Sequence, residues 1–347
     1  MLSALPWLAA PLQQALERAR GHALLLHGPE GVGQFELAWQ LAKAWLCEAR
    51  ADAQHSACGH CPSCHLFEQR AHPDFQMLLP EALQEALGLS TESDGEGASG
   101  KSKAKPSREI KVEAVRQMLS FAQVSSARGS AKVVLVHPAE ALNTVAANAL
   151  LKTLEEPSGQ LRFVLTSSGL EQVLPTIRSR CQPMALTLPP AHEALPWLQQ
   201  QAKLEDAQAA AVLLAATGGR PQEALQWLEA GIGAQQWLAL PRAIAMGQAK
   251  ALQDWPLPRA VSAMQKLVHD LLCLNWACAP RYFPREALPT RQLRRQALQD
   301  WAQQLQQLAR QAEHPWNAGL FLEALVAQGQ TAMQPMPRQA APTAPQH

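Results

Sequence analysis

A glycine-spaced turn constrains the first half of this chain more than any other feature. Gly28-Pro29-Glu30-Gly31-Val32-Gly33-Gln34-Phe35 follows the apolar run Ala23–His27, which reads as a strand, and precedes 36–45, which reads as a helix. Strands separated by helices imply a parallel sheet with helices on both faces. The pattern repeats along the first half: 11–20 reads as a helix, Lys132–Val136 as a buried strand, 146–155 as a helix and 162–166 as a strand.

The context of the turn, after a strand and opening a helix, is that of a phosphate-binding loop, and the spacing of Gly28 and Gly33 fits one. Its working side chains are missing. Gln34 stands where a lysine would neutralise the β- and γ-phosphates, and Phe35 where a hydroxyl would hold magnesium. The magnesium-binding acids should follow a hydrophobic strand, yet Val133-Val134-Leu135-Val136 runs into His137 and Pro138. Gly28, Gly31, Gly33, Gln34 and Phe35 therefore read as a loop that hydrolyses no ATP, or as an ordinary glycine turn never meant for phosphate.

Four of the seven cysteines crowd into 18 residues as Cys47, Cys58, Cys61 and Cys64, a C-x10-C-x2-C-x2-C spacing. Four thiolates match tetrahedral zinc with no position left for water, which makes the expected site structural, with one Zn2+ per chain. An iron–sulfur cluster is the alternative. His55, His60 and His65 flank the thiols and could replace one of them, but four cysteines suffice. Cys181, Cys273 and Cys278 sit among apolar residues and read as small core residues, and no catalytic Cys–His pair is evident.

A length of 347 residues exceeds one comfortable core. From Pro190 the strand signal ends, and short helical patterns occupy 191–201, 205–216 and 221–229. Beyond Gly231, one apolar stripe runs through Val261, Met264, Leu267, Val268, Leu271 and Leu272, and another through Leu293, Ala297, Trp301, Leu305 and Leu308. Residues 90–108 and 331–347 lack periodicity and read as disordered. No internal repeat is present. The formal charge of +1 produces no global field toward nucleic acid, so any such contact must be local. The opening segment does not resemble a secretory signal, and no apolar run approaches the ~20 residues of a bilayer span. The expectation is a cytoplasmic protein without membrane contact.

Two strings are more specific: Asn148-Ala149-Leu150-Leu151-Lys152-Thr153-Leu154-Glu155-Glu156-Pro157 and Ser179-Arg180-Cys181, with Ile110-Lys111-Val112-Glu113-Ala114-Val115-Arg116 upstream. In this order and spacing they resemble the clamp-loader family of AAA+ proteins, from residue 1 to about 330. The resemblance implies an α/β AAA+ domain over 1–184 carrying a zinc module at about 47–65. It also implies a helical lid over 185–232, an all-helical collar over 233–330 and a disordered tail over 331–347. It further implies a subunit of a DNA polymerase holoenzyme that lacks its own ATPase. Its partners would be motor subunits of the gamma/tau type and a delta-type subunit, with the sliding clamp and primer-template DNA reached through the complex. Arg180 would then act in trans, on a neighbouring subunit's ATP. The segment 78–109 is longer than the family needs. Gln222 stands where motor subunits carry a phosphate-sensing arginine, and Arg220 is two residues off.

Two other functions compete. A motor-type ATPase with a degenerate site would need replacements for the missing lysine, hydroxyl and acids. A zinc-ribbon nucleic-acid binder would show a basic stripe near the thiols, whereas Glu48, Asp52 and Glu68 there accompany Arg50 and Arg70. Lys101, Lys103 and Lys105 could touch DNA or be a solvated loop.

Overall fold

Three consecutive buried strands form the spine of the first unit: β1 (Ala23–His27), β3 (Lys132–Val136) and β4 (Leu161–Ser167). Each reads as a continuous apolar run because helices cover both faces of a parallel sheet. Shorter strands, β2 (Phe75–Leu78) and β5 (Gln182–Ala185), close the edges in the order β2-β3-β4-β1-β5. Every pair is parallel, with Leu25 opposite both Leu165 and Pro183, and Val134 opposite Phe163. The edge strands escaped the sequence pattern for a physical reason. β5 contains Pro183 and is mostly exposed, which only an edge tolerates.

The computed structural model describes residues 5–18, 21–49, 56–89, 106–129, 131–310 and 317–335. Helices of the first unit are α1 (Ala9–Arg18), α2 (Gln34–Leu46), α3 (Pro62–Glu68), α4 (Glu81–Ala86), α5 (Val112–Gln123), α6 (Thr144–Glu155) and α7 (Pro175–Arg178). One face of the sheet packs Leu25, Val134, Val136, Phe163 and Leu165 against Val115 and Met118 of α5 and Ala146, Leu150 and Leu154 of α6. Each fully buried Leu, Val or Phe side chain contributes about 1.5–3 kcal/mol.

From α8 (Ala191–Ala202) onward the described chain is helical: α9 (Ala207–Ala216), α10 (Pro221–Glu229), α11 (Ala234–Ala245), α12 (Leu257–Asn275), α13 (Arg295–Ala309) and α14 (Ala318–Ala332). The chain divides into two compact units, Met1–Glu193 and Ala194–His347. In the second, the predicted stripes are buried at Val261, Met264, Leu267, Val268 and Leu271 of α12 and at Trp301 and Leu305 of α13. Two buried charges fix the same unit. Asp270 accepts hydrogen bonds from the backbone N–H groups of Arg281, Tyr282 and Phe283 at 2.8–2.9 Å, which draws that loop over Trp237. Lys266 lies beneath Trp227, Trp237 and Tyr282 with Glu223 at 3.7 Å, and burial lowers its pKa to about 8.

Some expectations are corrected. α14 runs to Ala332, Met333 is buried and Pro335 bridges Leu293, so the tail expected over 331–347 starts as packed structure. Ser107 donates its N–H to Glu81 and accepts from Ala82, so 106–108 are held on α4. The remainder of those stretches, 90–105 and 336–347, lies outside the described residues, as do Lys101, Lys103 and Lys105. Cys278 is exposed and Cys273 half-buried rather than core; only Cys181 is buried as expected. No helix among the described residues is long and apolar enough to cross a membrane.

Candidate metal centre and phosphate-type loop

The turn after β1 is held between its neighbouring strands. The Gly28 N–H donates to Ser167 O at 3.2 Å and the Leu186 N–H to His27 O at 2.7 Å. A side chain at Gly28 would place a Cβ 2.2 Å from Leu186 O, so only glycine fits. Gly33 caps α2 at φ 101°, a left-handed conformation, and a Cβ there would meet Leu5 at 2.5 Å. The segment before α1 closes the loop from that side, with the Trp7 indole donating to Val32 O at 2.8 Å.

Inside this frame the Gln34 side chain turns back on the loop. Its Nε2 donates to Gly28 O at 2.6 Å and to Pro29 O at 2.7 Å. Both amide protons are thus spent on the loop's own carbonyls. Phe35 packs on His137, ring centres 4.8 Å apart, and His137 Nδ1 shares a 2.5 Å hydrogen bond with Thr166 Oγ1. Burial lowers the His137 pKa to about 4, which leaves the ring neutral at neutral pH. A neutral imidazole against a phenyl ring offers no oxygen to a magnesium ion.

Phe35 also starts an aromatic ladder. Trp39 lies 6.2 Å from it, Phe67 of α3 lies 4.5 Å from Trp39, and Phe75 of β2 lies 4.6 Å from Phe67. The ladder carries α3 to the far end of α2, where the cysteines meet. Cys47 ends α2, and Cys61 caps α3 by accepting from the Cys64 N–H. The sulfurs of Cys47, Cys58, Cys61 and Cys64 all lie within 4.8 Å of one another, with Cys47–Cys61 and Cys58–Cys64 at 3.9 Å. Metal–sulfur bonds of about 2.3 Å arranged tetrahedrally need sulfurs about 3.8 Å apart. The spacing is far beyond a disulfide.

The donors suit a cation. Three backbone N–H groups aim at these sulfurs, Cys58 to Cys47, Cys61 to Cys58 and Cys64 to Cys61, each at 3.4 Å. At Cys61 burial opposes ionisation, but the Cys64 and Glu48 N–H groups outweigh it and bring the thiol down to about 6. At Cys64 burial and the adjacent sulfurs push the thiol up to about 12, so the set ionises fully only around a positive charge. The four cysteines could therefore hold one metal ion. His60 and His65 are exposed, the His60 ring bonding the Cys58 carbonyl, and His55 lies outside the described residues.

A polar brace that the sequence reading missed supports this centre. Asp74, fully buried, accepts from Ser126 Oγ and from the N–H groups of Ala127 and Arg128 at 2.8–3.0 Å. Arg128 reaches Glu48 at 2.6 Å and Ser63 at 3.1 Å. The Asp74 N–H donates to His72 Nδ1, so the ring proton sits on Nε2 and faces Ser63 Oγ at 3.0 Å. These partners lie up to 80 residues apart, and no local spacing announces them.

Arg180 is half-buried and engaged within its own chain. Its Nε and Nη2 both donate to Glu155, and its Nη1 donates to Thr176 O at 2.8 Å. Two strings that carried the family resemblance thus meet at one ion pair. Arg178, two residues earlier, is exposed. Arg220 donates to Thr217 O and pairs with Glu223 at 2.7 Å. Cys273 lies 3.8 Å from His269, but burial and the Asp270 charge push its thiol up, the reverse of an activated nucleophile.

The family model described as "DNA polymerase III, delta subunit" matches residues 7–190. The DNA polymerase III subunit delta' of Pseudomonas aeruginosa is 35% identical over 342 residues, covering 93% of this chain and 96% of that protein. Its Escherichia coli counterpart is 32% identical, covering 75% and 76%. Among solved structures, a gamma subunit-related protein of Thermotoga maritima aligns with a TM-score of 0.46 at 17% identity, covering 93% of this chain and 98% of that one.

A pH dependence follows from His137. The unfolded chain binds a proton near pH 6.5 that the folded chain refuses until about pH 4, so stability is lost as pH falls through this window. Urea unfolding should show wild type losing at most about 3 kcal/mol more than His137→Gln between neutral and mildly acidic pH. Identical pH slopes would show that His137 is not held neutral.

Proposed function

Starting from the fact that this chain belongs to the delta-prime family of DNA polymerase III, we propose that it is the non-hydrolysing subunit of a clamp loader. The observation that carries this reading is the Gln34 amide donating to the carbonyls of Gly28 and Pro29, with Phe35 against His137. A loop closed by its own Gln34 side chain, without the lysine and hydroxyl of a working site and without acids at the end of β3, has no means of neutralising a transferring phosphoryl group. Motor subunits of the gamma/tau type would supply the hydrolysis, with a delta-type subunit, the sliding clamp and primer-template DNA completing the assembly in the cytoplasm. Within this reading 1–184 is the AAA+ domain with its zinc module, 185–232 the lid and 233–330 the collar that holds the ring together.

Arg180 gives such a subunit a part in its neighbour's chemistry. A guanidinium is permanently charged and forked, and follows charge as it spreads over phosphoryl oxygens. Its partner Glu155 orients it while the neighbouring site is open. A pair this exposed is worth at most about 1 kcal/mol, so exchanging the carboxylate for a phosphate costs little.

At the cysteines the reading is one structural zinc, held by Cys47, Cys58, Cys61 and Cys64, with the sulfur spacing and the closed donor set in its support. Elemental analysis of reduced protein should give one zinc per chain. Chelation should loosen 47–68 before the sheet melts, because the core around Leu25 and Phe163 does not include the thiols. Iron, or no metal, would contradict the assignment.

Replacing Arg180 with Ala should leave zinc content and assembly intact while lowering clamp- and DNA-stimulated ATP hydrolysis by the complex. One arginine finger is worth ~10³-fold or more at its own site. Total turnover then falls only in part, so clamp loading is measured beside it. Arg178→Ala, with the same charge removed two residues away, should match wild type. Equal effects of the two variants, or none from Arg180→Ala, would leave a scaffold without a finger.

A further inference from the structure

The chain carries a formal charge of only +1, yet residues 281–295 hold Arg281, Arg285, Arg291, Arg294 and Arg295 against one acid, Glu286. All five arginines are exposed. Two of them line a cavity of about 340 Å³ together with Asn275, Thr290 and Gln292 and the apolar side chains of Leu271, Leu274, Pro289 and Leu293. Beside Asn275, at the end of α12, Trp276 is 60% exposed, and the Arg295 guanidinium sits 4.1 Å from its ring centre. Among the described residues, no carboxylate pairs with Arg285, Arg291, Arg294 or Arg295. Arg285 spends one N–H on Pro289 O at 3.4 Å.

Concentrating like charge in this way is unfavourable in isolation. Arg294 and Arg295 begin α13, whose first turn has no acid and no side-chain cap, so the helix end adds to the positive potential. The cost is offset when an anion is bound. The residue types narrow the anion further. The stretch 281–295 uses arginine throughout and no lysine, and the guanidinium fork matches phosphate oxygens and stacks on flat rings. A free phosphate would engage the arginines but leave unused the exposed part of the indole that Arg295 does not cover. An acidic protein segment would have no flat base to set on Trp276.

The structure assigns to this surface a segment of single-stranded nucleic acid, with phosphates on Arg285, Arg291 and Arg295 and an unpaired base stacked on Trp276. Cationic donors beside an exposed aromatic are how sequence-independent single-strand binding works, by backbone charge plus stacking. The site stands on this surface alone and does not depend on the proposed role of Arg180.

The test uses full-length protein and a short fluorescein-labelled oligothymidylate, followed by anisotropy over a range of salt. Binding should weaken with a log–log slope of about −2, the value for about three phosphate contacts on a single strand. Arg285→Glu with Arg291→Glu should cut affinity at least ~10-fold, and Trp276→Ala about 5-fold or more. Arg116→Glu, an exposed arginine elsewhere, should match wild type, and thermal melts should show all variants folded. Several outcomes would overturn the assignment. They are no binding at low salt, equal losses from Arg116→Glu, indifference to Trp276→Ala, displacement by inorganic phosphate at matched ionic strength, and equally tight binding of polyglutamate.

Discussion

The Gln34 amide, donating to the Gly28 and Pro29 carbonyls, is the interaction around which the first unit is arranged. Were it a lysine, the same position would direct a charge outward. As an amide it draws the loop inward, and Phe35 beside it packs half-buried against its aromatic neighbours. The phenyl ring meets neutral His137 on one side and Trp39 on the other, and the stack continues through Phe67 to Phe75. A helix that in a motor would present its start to phosphate serves here as a structural spine. Its far end delivers Cys47 to the thiol cluster.

In the proposed reading, a loop that performs no hydrolysis leaves the rest of the machinery to be used differently. The ion pair between Glu155 at the end of α6 and Arg180 just after α7 joins two segments that do no chemistry on this chain's own loop. In the proposed reading this pair faces a neighbour, and the subunit acts on ATP it does not hold. The arginine surface of the second unit follows the same logic of local charge. A chain with almost no net field can engage a polyanion only where its charges are gathered.

The sequence spoke clearly where the physics is local. β1, β3 and β4 were legible because burial on both faces demands unbroken apolar runs, and the thiols because C-x2-C spacing has few other uses. The edges were not legible, since β2 is four residues long and β5 carries Pro183. Nor was the brace of Asp74, His72, Ser63, Arg128 and Glu48, whose members come together only through tertiary folding. Composition misled at 331–335, where α14 runs on to Ala332, Met333 is buried and Pro335 bridges Leu293, and at Cys278, where apolar neighbours in sequence do not bury the thiol. Arg180 was legible as a residue through its motif, but not as the partner of Glu155.

ATP turnover by the isolated full-length protein, measured with and without magnesium, tests the central claim that this loop is closed on itself. The account predicts no hydrolysis above background under either condition, even if backbone N–H groups near Gly33 hold phosphate weakly. Magnesium-dependent turnover that Gln34→Ala abolishes would contradict it.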